Sequence, residues 1–261
     1  MMAPFNLKGK RILLVGATGV LGSAFSRGLK SAGASLIIAD LKTTSIDKIA
    51  SEIALESLYI DVTNEKSVIE SISTAASVLG SLDGVVSNAA ITSESLMGSQ
   101  SIFSKLEDYP LEDWKKTIDV NLSGTFLVAR EAGRIMKISG GGSIVLTSSI
   151  YGVVGPDHNI YEGQSFQSFP GYSASKAGII GLTKWLATWW AKDGIRVNAL
   201  SPGGVINNQP NDFVDRYSER TPLGRMAEPD DLTGALLFLL SDSSSYCTGQ
   251  NLIIDGGLTA W

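Results

Sequence analysis

The segment Tyr172-Ser173-Ala174-Ser175-Lys176 sets a phenol and an ammonium four residues apart at the start of a helical pattern. That spacing puts both side chains on one helix face. A free phenol, with a pKa near about 10, is a poor acid/base at neutral pH. A neighbouring ammonium favours the phenolate, so the pair can exchange a proton where neither residue would alone. The chemistry this serves is general acid/base catalysis. With 7 tyrosines in the chain the spacing also arises by chance, so its weight depends on context.

A second cluster lies near the N-terminus. Val15-Gly16-Ala17-Thr18-Gly19-Val20-Leu21-Gly22 places three glycines three apart between an apolar run and a helical pattern. Gly16 permits a tight turn, Gly19 lets backbone approach a pyrophosphate, and Gly22 lets the helix pack close to the strand. The helix N-terminus then offers free N–H groups to phosphates. Asp40 ends the next apolar run, 18 residues beyond Gly22. A carboxylate there accepts hydrogen bonds from the adenosine ribose and repels a 2′-phosphate. No basic residue lies between Val15 and Ser26, although Lys42 is near. The cofactor expected is NAD, with NADP second. A ligand-free glycine turn and a turn-forming Asp remain the plain alternatives.

These groups need a frame to hold them. Apolar and β-branched runs predict strands at Arg11–Val15, Leu36–Ala39, Leu58–Ile60, Gly84–Ser87, Ser143–Thr147, Arg196–Leu200 and Leu252–Ile254. Helical patterns fall near 20–32, 46–54, 65–79, 111–138, 172–192 and 230–240. Strand–helix alternation implies a single doubly wound parallel α/β sheet of about seven strands, helices on both faces, spanning 1–261 as one domain. Three stretches resist the alternation: Ile91–Pro110, Ile150–Gly171 and Gly203–Arg225. Each follows the C-terminal end of a strand, where open α/β sheets bind ligands.

Composition narrows the partners. Apolar residues make up 44% and charged residues 18%, enough for a sizeable core. The net charge of −5 argues against a nucleic-acid backbone as partner. No apolar run reaches the length of a signal-peptide core or a membrane span, so no membrane partner is expected. Cys247 is the only cysteine, which fits a reducing cytoplasm. One His and one Cys cannot build a usual zinc site, and no metal is expected.

In this setting the chain resembles the short-chain dehydrogenase/reductase family over nearly its whole length. The motifs, in order, are the glycine turn, Asp40, Asp61-Val62, Ser87-Asn88-Ala89-Ala90, Asn121-Leu-Ser-Gly-Thr-Phe, Ser148-Ser149-Ile-Tyr-Gly152, Tyr172-x-x-x-Lys176, Val197-Asn198-x-x-Ser-Pro202-Gly203 and Thr248-Gly249-Gln250…Asp255-Gly256-Gly257. The resemblance implies a hydride transfer between nicotinamide and a carbon–oxygen centre. It gives Tyr172 the proton exchange and Ser149 a hydrogen bond to the substrate oxygen. Lys176 would hold the nicotinamide ribose and tune Tyr172, and Asn121 would support a water linking Lys176 to solvent. Asp61 and Val62 would contact adenine. Asn88, with Ala89 and Ala90, would border the adenosine-side ribose. Pro202, Gly203 and Val205 would line the nicotinamide pocket, and Thr18 and Leu21 belong to the phosphate turn. The sequence departs from the family at Val15, at the shifted Gly19, at Ala90 and at Asn207. The three-apart glycines resemble the family's sugar-nucleotide epimerase and dehydratase branch.

Ser149 and Tyr172 are 23 positions apart, more than is usual in the family. The extra segment, Pro156–Pro170, must leave and re-enter at the mouth of the site. It offers His158, Tyr161, Glu162, Gln164 and Gln167, which favours a polar alcohol or ketone, sugar-like or a sugar nucleotide. Tyr151 and Asn207 join Ser149, His158 and Tyr161 as candidate substrate contacts. His158 reads equally as a substrate ligand, a second acid or a solvated loop residue. Trp185, Trp189 and Trp190, with Leu182 and Leu186, read as core or subunit interface, and the resemblance implies a homodimer or homotetramer. Two further readings stay open: an isomerase or lyase that retains NAD and recycles the hydride, and a cofactor-binding regulator without chemistry.

Overall fold

The computed structural model describes residues 5–43, 45–53, 55–92 and 105–261. Its centre is a parallel sheet of seven strands in the order β3-β2-β1-β4-β5-β6-β7. The strands are β1 (Arg11–Val15), β2 (Ser35–Asp40), β3 (Glu56–Tyr59), β4 (Gly84–Ser87), β5 (Gly142–Thr147), β6 (Ile195–Pro202) and β7 (Asn251–Ile254). Each sequence-predicted strand is present. Those in the middle are apolar throughout because both faces are covered.

Alternate side chains sort to the two faces. Leu13, Val15, Ile37, Val85, Ile144 and Val197 pack on one side, against helices Glu65–Leu79, Gly124–Ser139 and Pro170–Trp190. Ile12, Leu14, Ile38, Val86, Val145 and Leu200 pack on the other, against helices Val20–Ser31, Ile46–Glu52 and Thr233–Leu240. Each such side chain is almost fully buried, which contributes roughly 1.5–3 kcal/mol apiece relative to exposure. Trp190 joins this core over Gly133, whereas Trp185 and Trp189 stack at 5.1 Å between ring centroids on the exposed side of the same helix.

The chain runs outward from β1 through β2 to β3, then returns to β4 on the other side of β1. The switch point between β1 and β4 leaves a crevice at their C-terminal ends, which is where this topology takes ligands. Val15 pairs with Ser87 in register, so the glycine turn after β1 lies beside Asn88 and Ala89.

Three helices differ from their sequence patterns. The pattern over 111–138 is interrupted: α-helix Leu111–Ile118 passes through a single π turn, Asp119–Ser123, before Gly124–Ser139. Such a bulge inserts a residue without ending the helix, so apolar periodicity does not reveal it. The helix expected to open at 172 begins at Pro170, whose ring suits the first helical position. The 230–240 pattern starts as a 3-10 turn, Pro229–Leu232, closed by a reciprocal cap between Glu228 and Asp231. Of the three irregular stretches, most of Ile91–Pro110 lies outside the described residues. The other two hold 3-10 turns at Ile150–Gly152 and His158–Tyr161 and a helix at Asn211–Glu219.

Candidate active site

A cleft of about 840 Å3 runs across the C-terminal edge of the sheet, from the glycine turn to the loops after β5 and β6. Its two halves are built differently.

At the β1–β2 end, the turn must bend sharply and pack tightly. Gly16 has φ +84°, and a Cβ there would come within 2.3 Å of the Ala89 nitrogen. At Gly22 a Cβ would meet the Gly16 carbonyl oxygen at 2.2 Å, so the helix approaches the turn only because no side chain intervenes. Gly19 heads the twelve-residue helix with no side-chain cap, and nothing lies within 4 Å of where its Cβ would be. The first-turn N–H groups are thus left for an anion. Asp40 closes β2 with its Oδ2 accepting from both the N–H and the hydroxyl of Thr18, each at 2.8 Å. Its Oδ1 accepts from the Leu41 N–H at 2.8 Å. A carboxylate has about four acceptor positions, so capacity for ribose hydroxyls remains. The Lys42 ammonium sits over the Tyr59 ring, 5.7 Å from its centroid, and Lys42 is not part of the cleft wall. Asn88 anchors the far side, its amide donating to the Gly16 carbonyl at 2.8 Å. Thr18, Leu21, Asp61, Val62, Ala89 and Ala90 all line this half. Uncapped N–H groups beside a glycine cradle, with a carboxylate one strand over, fit the phosphates and ribose of a dinucleotide.

At the β5–β6 end, Ser149 leaves the sheet in an extended conformation, and its Oγ accepts from the Tyr151 N–H at 3.2 Å. The following turn is pressed onto the Pro170–Trp190 helix. The Ser148 hydroxyl donates to the Lys176 carbonyl at 2.8 Å, and a Cβ on Gly152 would lie 2.7 Å from the Lys176 carbonyl carbon. This packing brings Ser149 and Tyr172, distant in sequence, into one cleft wall with Lys176. Lys176 is buried, with its Nζ 5.5 Å from the Tyr172 ring centroid and donating to the Thr147 carbonyl at 2.8 Å. Burial alone lowers its pKa from the ordinary 10.5 to about 7. Among the described residues no carboxylate pairs with it.

Asn121 sits in the π turn and is fully buried. Its Oδ1 accepts from the Ile91 N–H at 2.7 Å, and its amide donates to the Ile91 carbonyl and to Ser175 Oγ at 3.1 and 3.2 Å. Asn121 therefore ties the loop after β4 to the helix that carries Tyr172 and Lys176. Pro202, Gly203 and Val205 line the cleft beyond β6, and Asn207 follows, its N–H bonded to Gln209 Oε1 at 2.6 Å.

The insertion is placed otherwise than its polarity predicts. His158 and Glu162 are exposed, Gln164 is held by Asp212 at 2.6 Å, and none of these lines the cleft, nor does Gln167. What reaches the cleft is Tyr161 and Phe166, because the segment seats itself through Ile160, Phe166 and Tyr161 on Phe213, Tyr217 and Met226. The polar groups of the loop face outward for the ordinary reason that its apolar groups are buried beneath it.

Sequence reading missed Thr147, Phe166, Phe213 and Tyr217 as cleft residues. Thr147 has a buried hydroxyl that finds no partner among the described residues and lines the cleft, a donor fit for a bound ligand. Phe213 and Tyr217 stand four apart on one helix, a detectable signal, but nothing local says that this face meets the insertion. Among the described residues there is no cluster of three metal-ligating side chains, and no helix is long and apolar enough to cross a membrane.

Comparison with known proteins agrees with this architecture. Residues 16–259 match a family model described as enoyl-(acyl carrier protein) reductase. A 3-alpha-(or 20-beta)-hydroxysteroid dehydrogenase of Mycobacterium bovis is 34% identical over 257 residues, covering 98% of this chain and 91% of that protein. An NAD-dependent glycerol dehydrogenase of Listeria innocua is 31% identical over 263 residues, covering 98% and 96%. The crystal structure of a short-chain dehydrogenase from Leptospira borgpetersenii with bound NAD+ superposes with a TM-score of 0.86 at 37% identity, over 99% of this chain and 97% of that one. The chain belongs to the short-chain dehydrogenase/reductase family of oxidoreductases.

Proposed function

We propose that the protein is an NAD-dependent dehydrogenase/reductase that interconverts a secondary alcohol and a ketone on a polar substrate, with Tyr172 as acid/base. The observation that carries this is Tyr172 beside buried Lys176 on one helix turn, with Ser149 on the same cleft wall. Ser149 donates a hydrogen bond to the substrate oxygen. Tyr172 takes the hydroxyl proton in oxidation and returns it in reduction, and Lys176 favours the phenolate when it carries its proton, which its lowered pKa of about 7 allows only near neutral pH and below. The dinucleotide supplies the hydride acceptor when bound. Asp40 and the uncapped helix start hold its adenosine and phosphate end, while Pro202 and Val205 wall the other end. The Thr147 carbonyl holds the Lys176 ammonium, and Asn121 fixes the helix that carries both groups.

Asp40 favours NAD over NADP because its carboxylate, bonded into the turn, repels a 2′-phosphate, and Lys42 is engaged with Tyr59 instead. Fluorescence titration of NADH and NADPH tests this directly. Wild type should bind NADH the more tightly, and Asp40→Ala should narrow the gap by roughly tenfold or more. Tighter NADPH binding by wild type would overturn the assignment. Release of NADH into solution during turnover separates this reading from an isomerase that recycles its hydride.

The relatives span hydroxysteroids and glycerol by name. Support for a polar substrate comes from the cleft wall itself, where the phenols of Tyr151 and Tyr161 stand with Asn207 and Gln209.

A further inference from the structure

Tyr161 is carried into the cleft by the insertion, and its hydroxyl meets that of Tyr151 at 2.9 Å. The insertion is latched, so this meeting is fixed. The Arg216 guanidinium donates to the Asn159 and Glu162 carbonyls, and Arg220 pairs with Asp157 at 2.6 Å. Phe166 and Phe213 back the pair, with Tyr161 5.9 and 5.4 Å from their ring centroids. Tyr217 completes the wall, its oxygen accepting from the Gly204 N–H.

The three phenols carry three O–H protons. One is used inside the Tyr151–Tyr161 pair, and among the described residues no acceptor meets the other two. Burial raises the pKa of all three, so they stay protonated donors at any ordinary pH. Tyr161 and Tyr217 line the same cleft as Tyr172. Tyr151 and Tyr161 are half-buried in the cleft wall, so a donor there without a protein acceptor is open to a ligand oxygen, which it favours. This half of the cleft is therefore rich in donors on the same cleft that Tyr172 lines, with aromatic faces behind them.

We propose that the Tyr151–Tyr161 hydroxyl pair is a second oxygen-recognition point, and that the substrate is a diol, polyol or hydroxyketone. Its carbon skeleton packs against Phe166 and Phe213, and it carries an oxygen beside the one that exchanges its proton with Tyr172. The proposal rests on the alcohol–ketone reading above and names the substrate class of that same site. Monofunctional alcohols of the same skeleton would leave the pair's remaining donor unmet.

The test is NAD-linked kinetics on matched pairs: cyclohexanol against cyclohexane-1,2-diol, and 2-butanol against 2,3-butanediol. Wild type, Tyr161→Phe, Tyr151→Phe and the double variant are compared. Wild type should favour the diols by about tenfold or more in kcat/KM, the effect of one well-made hydrogen bond at such a donor. Each single variant should shrink that preference, chiefly through the diol KM. The double variant should do little more than either single one, because the hydroxyls act as a unit. Equal use of diol and monofunctional alcohol by wild type would overturn the proposal alone, and so would variants that slow both alcohols alike. Turnover of none of the four alcohols, with NADH still bound, would overturn the alcohol–ketone reading and this proposal with it.

Discussion

The two ends of the cleft solve opposite problems. The end over β1 and β2 is made of backbone: a left-handed glycine, an uncapped helix start and one carboxylate held by Thr18. Its turn and carboxylate follow from a strand, a turn and a helix in succession, and Asn88 reaches them from the end of β4. The end over β5 and β6 is made of side chains from four separated segments, the 150–152 turn, the insertion, the Tyr172 helix and the 211–219 helix. A backbone site recognises what is common to all its ligands, which under the proposed function are phosphates and ribose. A side-chain site can be changed residue by residue, which is how one fold accepts different alcohols. Substitutions should therefore separate cleanly, altering chemistry at one end while sparing cofactor binding at the other.

The sharpest test of that separation is Tyr172→Phe. Loss of the proposed proton carrier should lower kcat by about 100- to 10,000-fold, with the NADH dissociation constant little changed. Comparable turnover in the variant, measured at saturating cofactor, would break the comparison at its centre. Next in size is Phe166→Ala. The side chain is buried between Tyr161 and Phe213, at 5.9 and 5.0 Å between centroids, so its loss should lower stability by about 3 kcal/mol. Urea unfolding measures that, and kcat/KM should fall while NADH affinity holds. If NADH binding collapsed as well, the two ends would be one cooperative unit.

A third effect concerns Lys176, which borders both ends. Its pKa is lowered from 10.5 to about 7 in the fold. Between those values the unfolded chain keeps a proton that the folded chain has shed, so this group makes stability rise with pH across the window. The contribution is complete above about 10.5 and lost as pH falls through about 7. Lys176→Met should flatten that rise in unfolding midpoints measured from pH 7 upward. An unchanged slope would mean that the ammonium is not desolvated as the structure shows.

Legibility in the sequence followed the same divide. β1 and β4 match their predicted limits, since five and four apolar-rich residues bounded by Gly and polar turns leave little latitude. Gly16, Gly22 and Asp40 stand where their spacing put them, because the strand–turn–helix unit is local. Tyr172 and Lys176 share a helix face for the same reason. The π turn at 119–123 was invisible, as it shifts Asn121 inward without disturbing composition. The insertion is less legible: its hydrogen-bonding groups His158, Glu162 and Gln164 do not line the cleft, whereas its aromatic residues Tyr161 and Phe166 do.

The sequence by itself determined the sheet, the order of its elements, the glycine turn and the Tyr172–Lys176 pair, since each depends on periodicity and on contacts a few residues long. Tertiary structure alone decided which face of the insertion turns inward, that Tyr161 meets Tyr151, and that Thr147 holds Lys176. Those pairings join residues 10 and 29 positions apart across segments with no repeating pattern, so only the packing of buried apolar surface fixes them.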